Sequence, residues 1–219
     1  MIRIVGDVHG EIDRYVNLVE KCNYSLQVGD MGFNYSGLAK LDSSRHRFIG
    51  GNHDNYDMYY DIDHALGDYG VHNLGGFEFF YIRGAFSIDV RQRLKHEHIY
   101  HVKSWWEEEQ LNINKMASAL REYGLKLPEI MITHTCPREV ADLIGNPGAL
   151  KAYGFDPDNF NTNTQQLLQE CFDYHKPKIW IYGHFHKSRT DFVKGTEFIC
   201  LDELSFLDFN EHGEVVDYI

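Results

Sequence analysis

The sequence has few of the features that mark secreted, membrane-spanning or linker-rich chains. Its 219 residues include five prolines and four cysteines, at positions 22, 136, 171 and 200. These cysteines form no CxxC pair, and no export signal is visible, so we expect reduced thiols. No apolar run approaches the roughly 20 residues that span a bilayer. Residues 1–5 are too short for the apolar core of a signal peptide. The sequence therefore predicts a cytoplasmic protein without membrane association.

Positive charge is also scarce. Lysine and arginine number 21 against 33 aspartates and glutamates, which gives a formal net charge of -12. A surface of that sign repels nucleic-acid backbones, so broad nucleic-acid binding is not expected. It still permits a small anionic substrate at a local positive centre. The hydrophobic and charged fractions, 43% and 25%, are typical of a globular protein. The length predicts one domain over residues 1–219.

Short apolar segments that end in glycine, aspartate, asparagine or histidine predict β-strands. They cover Ile2–Val5, residues 25–28, residues 47–49, Phe77–Ile82, Ile130–Thr133, Ile179–Tyr182 and residues 197–201. The last of these is expected to pair with strands at residues 205–209 and Val215–Tyr218, around a turn at residues 210–213.

Helical patterns alternate with these strands. One follows residues 12–20, and another covers residues 161–174. A third is expected from Ser104, as the N-cap of a capping box with Glu107, to Tyr123, closed by Gly124. Strands that alternate with helices predict an α/β layered fold with mixed sheets.

Polar side chains follow five of the predicted strands, where α/β sheets bind their ligands. The five clusters are Asp7-Val8-His9, Gly29-Asp30, Gly51-Asn52-His53-Asp54, His134 and Gly183-His184-Phe185-His186. Each cluster alone fits a turn or a helix cap. Together, in this order, they predict a metal site. Carboxylate oxygen and imidazole nitrogen suit manganese, iron, zinc or nickel, and the lack of thiolates argues against a structural zinc cage.

The ordered set resembles the signature blocks of the calcineurin-like metallophosphoesterase superfamily. The resemblance implies a four-layer α/β/β/α sandwich with two mixed β-sheets. It also implies two divalent ions, manganese foremost, one held by Asp7, His9 and His186 and the other by Asn52, His134 and His184. Asp30 is expected to bridge them, since its two oxygens can span ions about 3.5–4 Å apart.

By the same resemblance, the chain hydrolyses a phosphate ester through attack of a hydroxide that bridges the metals. His53 is expected to be the general acid that protonates the leaving oxygen. Asp54 is expected to fix the tautomer of His53 and to raise its pKa. The alternative for this pair is a structural helix start.

The blocks depart from the protein Ser/Thr phosphatase branch, because two arginines of that branch are absent. Gly50 stands where that branch has arginine in its third block, and the second block lacks its arginine as well. Two rivals remain: a phosphodiesterase or nuclease, and a small protein phosphatase. A non-catalytic scaffold is disfavoured because every block is filled. Arg83, Arg91 and Arg93 are offered as substitute phosphate contacts, against the alternative of a solvated loop or an Arg83–Asp89 pair.

Overall fold

Eleven strands and six α-helices make up the described part of the chain, which is residues 1–210 and 215–218 of a computed structural model. The strands are β1 (Ile2–Val5), β2 (Tyr24–Gln27), β3 (His46–Phe48), β4 (Tyr69–Leu74), β5 (Phe77–Ile82), β6 (Ile130–Thr133), β7 (Ile179–Tyr182), β8 (Arg189–Val193), β9 (Thr196–Cys200), β10 (Phe206–Phe209) and β11 (Val215–Tyr218). The helices are α1 (Ile12–Val19), α2 (Val90–Tyr100), α3 (Ile113–Lys126), α4 (Arg138–Ile144), α5 (Pro147–Ala152) and α6 (Asn163–Tyr174).

The strands form two mixed sheets, with orders β11-β10-β1-β2-β3 and β4-β5-β6-β7-β9-β8. The inner pairs β1–β2, β2–β3, β5–β6, β6–β7 and β7–β9 are parallel. The outer pairs are antiparallel. Because parallel neighbours end at the same edge, the loops after β1, β2, β3, β6 and β7 meet at one side of the sandwich.

The two sheets bury a shared apolar layer, and helices cover their outer faces. Ile4 and Leu26 of the first sheet belong to the same buried cluster as Ile132 and Ile181 of the second. On the outer faces, α1 packs on the first sheet, and α3, α4 and α6 pack on the second. The central strands β6 and β7 are largely apolar because both of their faces are buried. The predicted α/β/β/α order of layers is confirmed.

Two strands were missed because they lie at sheet edges and carry polar residues. These are β4 and β8. A signal for β4 was present: Gly75 and Gly76, both with positive φ, form the two-residue connection to β5. The predicted pairing of residues 197–201 with residues 205–209 is wrong, since β9 and β10 belong to different sheets. The β10–β11 pairing is confirmed, and residues 211–213 of its predicted turn lie outside the described residues.

The predicted helix from Ser104 to Tyr123 is wrong at both ends. Residues 104–106 are extended, a 3-10 turn covers Glu107–Glu109, and α3 begins after Asn112. Asn112 is the true N-cap, because its side chain accepts a hydrogen bond of 3.0 Å from the Lys115 amide. The capping box at Ser104 does not form, because no helix begins there and only Glu107 of its residues enters the 3-10 turn.

At its other end, α3 runs past Gly124 to Lys126, and Leu127 adopts the left-handed conformation with φ 47°. Gly124 lies inside the helix, where a β-carbon would come within 3.1 Å of the Tyr174 ring on α6. The glycine therefore serves close packing of two helices rather than helix termination.

Helices α1 and α6 match the predicted regions, whereas α2, α4 and α5 were not predicted. Helix α2 has no apolar stripe, since Arg93 is its buried residue, and α4 and α5 are two turns or fewer. None of the helices in the described part of the chain combines the length and the apolar character needed to cross a membrane.

Candidate metal centre

Backbone hydrogen bonds join the loop after β1 to the loop after β2, and the loop after β6 to the loop after β7. The amides of Val8 and His9 donate to the carbonyl of Asp30 at 3.0 and 2.8 Å. The amide of Gly183 donates to the carbonyl of His134 at 3.0 Å. Residues from distant parts of the sequence are therefore fixed next to each other before any ligand binds.

Four of the predicted ligands form a tight group: Asp7, His9, Asp30 and His186 each place one ligand atom within 4.8 Å of the others. His186 Nε2 lies 3.2 Å from Asp7 Oδ2 and 2.9 Å from His9 Nε2. His9 Nε2 is 3.8 Å from Asp30 Oδ2. These atoms converge on one point, as ligands around a cation do.

The other predicted ligands gather on the opposite oxygen of Asp30. Asp30 Oδ1 lies 3.2 Å from His134 Nε2, which is 3.1 Å from Asn52 Oδ1. The His184 ring packs against His134 with 5.1 Å between centroids. Asp30 thus directs one carboxylate oxygen toward each group of ligands.

The charges of this centre suit a divalent cation. Asp7 and Asp30 are buried, and the charged partners that the described residues give them are imidazoles rather than lysine or arginine. Burial alone raises the pKa of Asp30, but His134, His53 and His9 outweigh it and hold that pKa well below its usual value. Burial opposes the charged form of His134, yet Asp30 raises its pKa to about 9. A bound cation would replace the compensating proton.

Two histidines are oriented by groups behind them. His134 donates from Nδ1 to the Val28 carbonyl at 3.0 Å, and His186 Nδ1 lies 3.0 Å from the Glu203 carboxylate. In both rings Nε2 is left facing the centre, which is the usual arrangement for a metal-binding histidine. Glu203 was missed by the sequence reasoning because it follows β9 and belongs to none of the five clusters.

A buried chain of hydrogen bonds orients Asn52. Its Nδ2 donates to Ser87 Oγ at 3.2 Å, and Ser87 donates from Oγ and from its amide to Glu109 at 2.6 and 2.8 Å. Burial raises the pKa of Glu109 to about 7. With Nδ2 engaged in this way, Oδ1 of Asn52 must point toward His134. This network also escaped prediction, because Ser87 and Glu109 carry no recognisable motif.

We expect Glu109→Gln to lower the affinity for Mn²⁺ about 10- to 100-fold, as loss of an orienting group behind a metal ligand typically does. The amide cannot accept both hydrogen bonds from Ser87, so Asn52 loses its fixed orientation. Calorimetric titration of the metal-free protein with Mn²⁺ measures the change. Glu107→Gln is the matched control, since Glu107 lies in the same turn but is exposed. Equal Mn²⁺ affinities of the two variants would show that Glu109 does not orient Asn52 for metal binding.

The backbone is strained at four of the candidate ligands. His9, Asp30, His184 and His186 have φ values of 49°, 61°, 69° and 49°. Left-handed non-glycine residues cost on the order of 1 kcal/mol each and tend to cluster at functional sites. The crowding is severe enough that a β-carbon on Gly51 would collide with Asp30 and His134. Glycine before Asn52 is therefore a steric requirement of the centre.

The expected pairing of Asp54 with His53 is wrong. Asp54 accepts hydrogen bonds from the amides of Gly51 (2.7 Å), Asp30 (3.0 Å) and Gly32 (3.2 Å), and from the Tyr35 hydroxyl (3.1 Å). Burial and the nearby Asp30 raise its pKa to about 7. Its carboxylate faces inward, away from the imidazole, and ties the second loop to the third. Asp54 is a structural residue beneath the centre.

His53 contacts Arg93 instead. Arg93 Nη2 lies 2.5 Å from His53 Nε2, while its Nε and Nη1 bind Asp89 (2.9 Å) and the Asn52 carbonyl (3.2 Å). Burial lowers the pKa of His53 to about 4, with Asp30 opposing and Arg93 adding to the shift. Phe33 stacks nearly parallel to the ring, with 6.3 Å between centroids. His53 is therefore held at the centre between Phe33 and Arg93.

The three candidate arginines have different environments. Arg93 reaches the centre through His53, and Arg91 is exposed on α2. Arg83 is fully buried, and its guanidinium binds Asp68 (2.8 Å), the Tyr60 hydroxyl (2.6 Å) and the Glu108 carbonyl (2.6 Å). The structure thus contradicts both sequence-based readings of Arg83, as a phosphate contact and as a partner of Asp89. Its donors are already engaged in the core.

We expect Arg83→Met to lower the free energy of unfolding by about 1–3 kcal/mol, because the Glu108 carbonyl loses its buried donor while Asp68 keeps its ion pair with Lys115. Denaturant unfolding with urea measures this loss. At temperatures where the variant stays folded, KM should stay near the wild-type value. Arg91→Met is the control and should change the stability little, as substitutions at exposed positions usually do. A stable Arg83→Met protein with a strongly raised KM would restore the phosphate-binding role.

Comparison of the sequence with protein-family models identifies the family of the chain. Residues 1–188 match the calcineurin-like phosphoesterase family, so the chain belongs to that family. No curated protein matches the sequence. The family, together with the His/Asp group at the centre, indicates a hydrolase that binds divalent metal.

Solved structures agree with the fold. A dimetal phosphatase from Danio rerio is 12% identical, with a TM-score of 0.54 over 94% of this chain and 91% of that chain. The phosphopantetheinyl hydrolase of Mycobacterium tuberculosis is 13% identical, with a TM-score of 0.49 over 92% of this chain and 89% of that chain. At these identities, the first similarity supports the α/β sandwich alone, and the second adds no argument.

Proposed function

We propose that the chain hydrolyses phosphate esters with the help of two divalent ions, manganese foremost and iron, zinc or nickel as alternatives. The observation that carries this proposal is the position of Asp30, whose oxygens face two separate groups of ligands at 3.8 and 3.2 Å. One group is Asp7, His9 and His186, and the other is Asn52, His134 and His184. Such ions, when bound, supply a water of lowered pKa and neutralise charge on the phosphate.

The protein's own residues have distinct roles in this proposal. The ligand groups place the phosphate beside His53, which lies 4.9 Å from His9 between ring centroids. His53 delivers a proton to the leaving oxygen. Its low pKa in the free protein is compatible with this role, because a phosphate dianion next to the ring favours the charged form. Arg93, in the place expected for Asp54, positions the imidazole.

Two features of the sequence argue against particular substrate classes. The net charge of -12 opposes long nucleic acids, which disfavours a nuclease. The absence of the two branch arginines disfavours a protein phosphatase. A phosphodiesterase that acts on small diesters remains the second candidate, favoured by the openings on two sides of His53. A scaffold role is disfavoured because the ligand positions are filled and brought together.

A screen over metals and esters tests the proposal. The protein is stripped with EDTA and reconstituted with Mn²⁺, Fe²⁺, Zn²⁺, Ni²⁺ or no metal. Hydrolysis of p-nitrophenyl phosphate and bis-p-nitrophenyl phosphate then separates monoesterase from diesterase activity. We expect hydrolysis that requires added metal, with Asp7→Asn as the inactive control. Absence of hydrolysis in every reconstituted sample would overturn the proposal and favour a scaffold.

We also propose a phosphorylated small molecule as the partner and the cytoplasm as the setting. The four cysteine thiols are buried and free, as expected in a reducing compartment. Fractionation of cells that produce the tagged protein tests the location. Recovery from a secreted or membrane fraction would contradict it.

A further inference from the structure

A cavity of about 520 Å³ opens directly from the candidate metal centre. It shares Asp30, Asn52, His184 and His186 with that centre and extends away from them. This volume is typical of a small-molecule site, for which pockets of about 300–1,000 Å³ are usual. A phosphate group bound at the ligands would leave most of the space for the rest of the substrate.

The far wall of this cavity is apolar and rich in aromatic rings. Its side chains come from the loop before α2 and from the segment between α4 and α6: Phe86, Ile88, Ile144, Leu150, Tyr153 and Phe160. Phe86 packs on Phe160 with 6.1 Å between centroids, and both contact Phe155 behind them. We call the part of the cavity that these side chains line the aromatic cavity. Its rings offer surface on which a further flat ring can pack.

Several polar groups of the lining are engaged within the protein, whereas the Thr135 hydroxyl is buried without a partner among the described residues. Asn146 and Thr162 accept hydrogen bonds from the first turns of α5 and α6. Lys187 donates to the Ile144 carbonyl at 3.2 Å. Asp89 is paired with Arg93 at 2.8 Å. Lys187 remains a cation at the rim, while Asp89 and Asp142 are paired with arginines, so charged and polar contacts lie at the rim and the wall beyond it is apolar.

We infer that the aromatic cavity binds the ester substituent of the substrate, and that this substituent is apolar and flat. This inference rests on the proposed phosphoesterase function. It specifies phosphate esters of aromatic or similarly apolar alcohols. The phosphate group itself faces the two groups of metal ligands and His53.

The test compares 2-naphthyl phosphate with phenyl phosphate, whose leaving groups differ in apolar area but little in acidity. With Mn²⁺ present, we expect kcat/KM to be about 10-fold higher for the naphthyl ester, as the second ring adds buried apolar area. Phe160→Ala removes part of the wall, and Ala149→Trp fills the cavity from α5. Each should bring the ratio close to one, because kcat/KM for the naphthyl ester falls more than that for the phenyl ester. Phe192→Ala is the control, because Phe192 is 77% exposed on β8 and lines no part of the cavity.

A binding measurement separates this inference from the proposed function. Calorimetry with 2-naphthylphosphonate and phenylphosphonate should show the same preference and the same loss in both variants. An unchanged naphthyl preference in Phe160→Ala and Ala149→Trp would overturn the aromatic cavity. If no ester is hydrolysed with any metal, the proposed function fails, and the phosphonate preference alone decides whether the cavity binds flat apolar groups.

Discussion

Replacing Asp30 with asparagine is expected to lower kcat/KM for p-nitrophenyl phosphate by about 10³-fold or more. Asp30 is the residue whose two oxygens face both groups of ligands. Loss of its charge weakens both positions, and metal ions contribute several kcal/mol of charge stabilisation, of which about 4 kcal/mol corresponds to 10³-fold. Asparagine keeps an oxygen that accepts the hydrogen bond from the His53 amide, so the fold should survive. Initial rates at saturating Mn²⁺ measure the effect.

The same variant should lose the stabilisation that metal gives. At Mn²⁺ concentrations about 100 times the Kd, a bound ion stabilises by about 2.7 kcal/mol. For a chain of this length, that raises the Tm by about 5–10 °C. Asp30→Asn should show a much smaller rise. The control is Asp13→Asn, which removes an exposed carboxylate paired with Lys40 on the surface. A normal Tm rise together with normal activity in Asp30→Asn would contradict its bridging role.

His53→Asn is expected to reduce kcat by about 10²–10⁴-fold on esters of poorly acidic alcohols, the range typical of general acid catalysis. The loss should be much smaller on p-nitrophenyl phosphate, because its leaving group departs without protonation. A residue that only helps to bind phosphate would affect both substrates alike. Rates on phenyl phosphate and p-nitrophenyl phosphate at saturating Mn²⁺ make the comparison.

His98→Asn is the control for this prediction, because His98 is exposed on α2. Arg93→Lys gives a second readout: it keeps the charge but removes the forked geometry that contacts His53. We expect an intermediate loss with the same dependence on the leaving group. Equal losses of His53→Asn on both esters would end the general-acid role and leave His53 as a phosphate contact.

The sequence patterns predicted an α/β fold with mixed sheets and the convergence of the polar clusters because both depend on strong local patterns, whereas the order of the four layers came from the family resemblance. Short segments rich in apolar residues, such as Ile179–Tyr182, predict the strands, and the carboxyl ends of parallel strands must share one edge. The five polar clusters follow such strands. Their approach in space therefore follows from strand order, without knowledge of the side-chain contacts.

The contacts that each side chain makes could not be predicted from the sequence. His53 and Asp54 are adjacent in the chain, yet their side chains point in different directions. Asp54 binds backbone amides in the interior, whereas His53 contacts Arg93. Arg83 and Arg93 lie in the same basic segment, but Arg83 is buried in the core, where it binds Asp68, and Arg93 contacts His53 at the metal centre. Ser87 and Glu109 came together only through tertiary packing. Patterns of polarity do not encode such pairings.

Anomalous diffraction from crystals grown with Mn²⁺ tests the central claim most directly. The account predicts two peaks: one bounded by Asp7, His9 and His186, the other by Asn52, His134 and His184, with Asp30 between them. Peaks that lie elsewhere, or no peak among these seven side chains at saturating manganese, would contradict it.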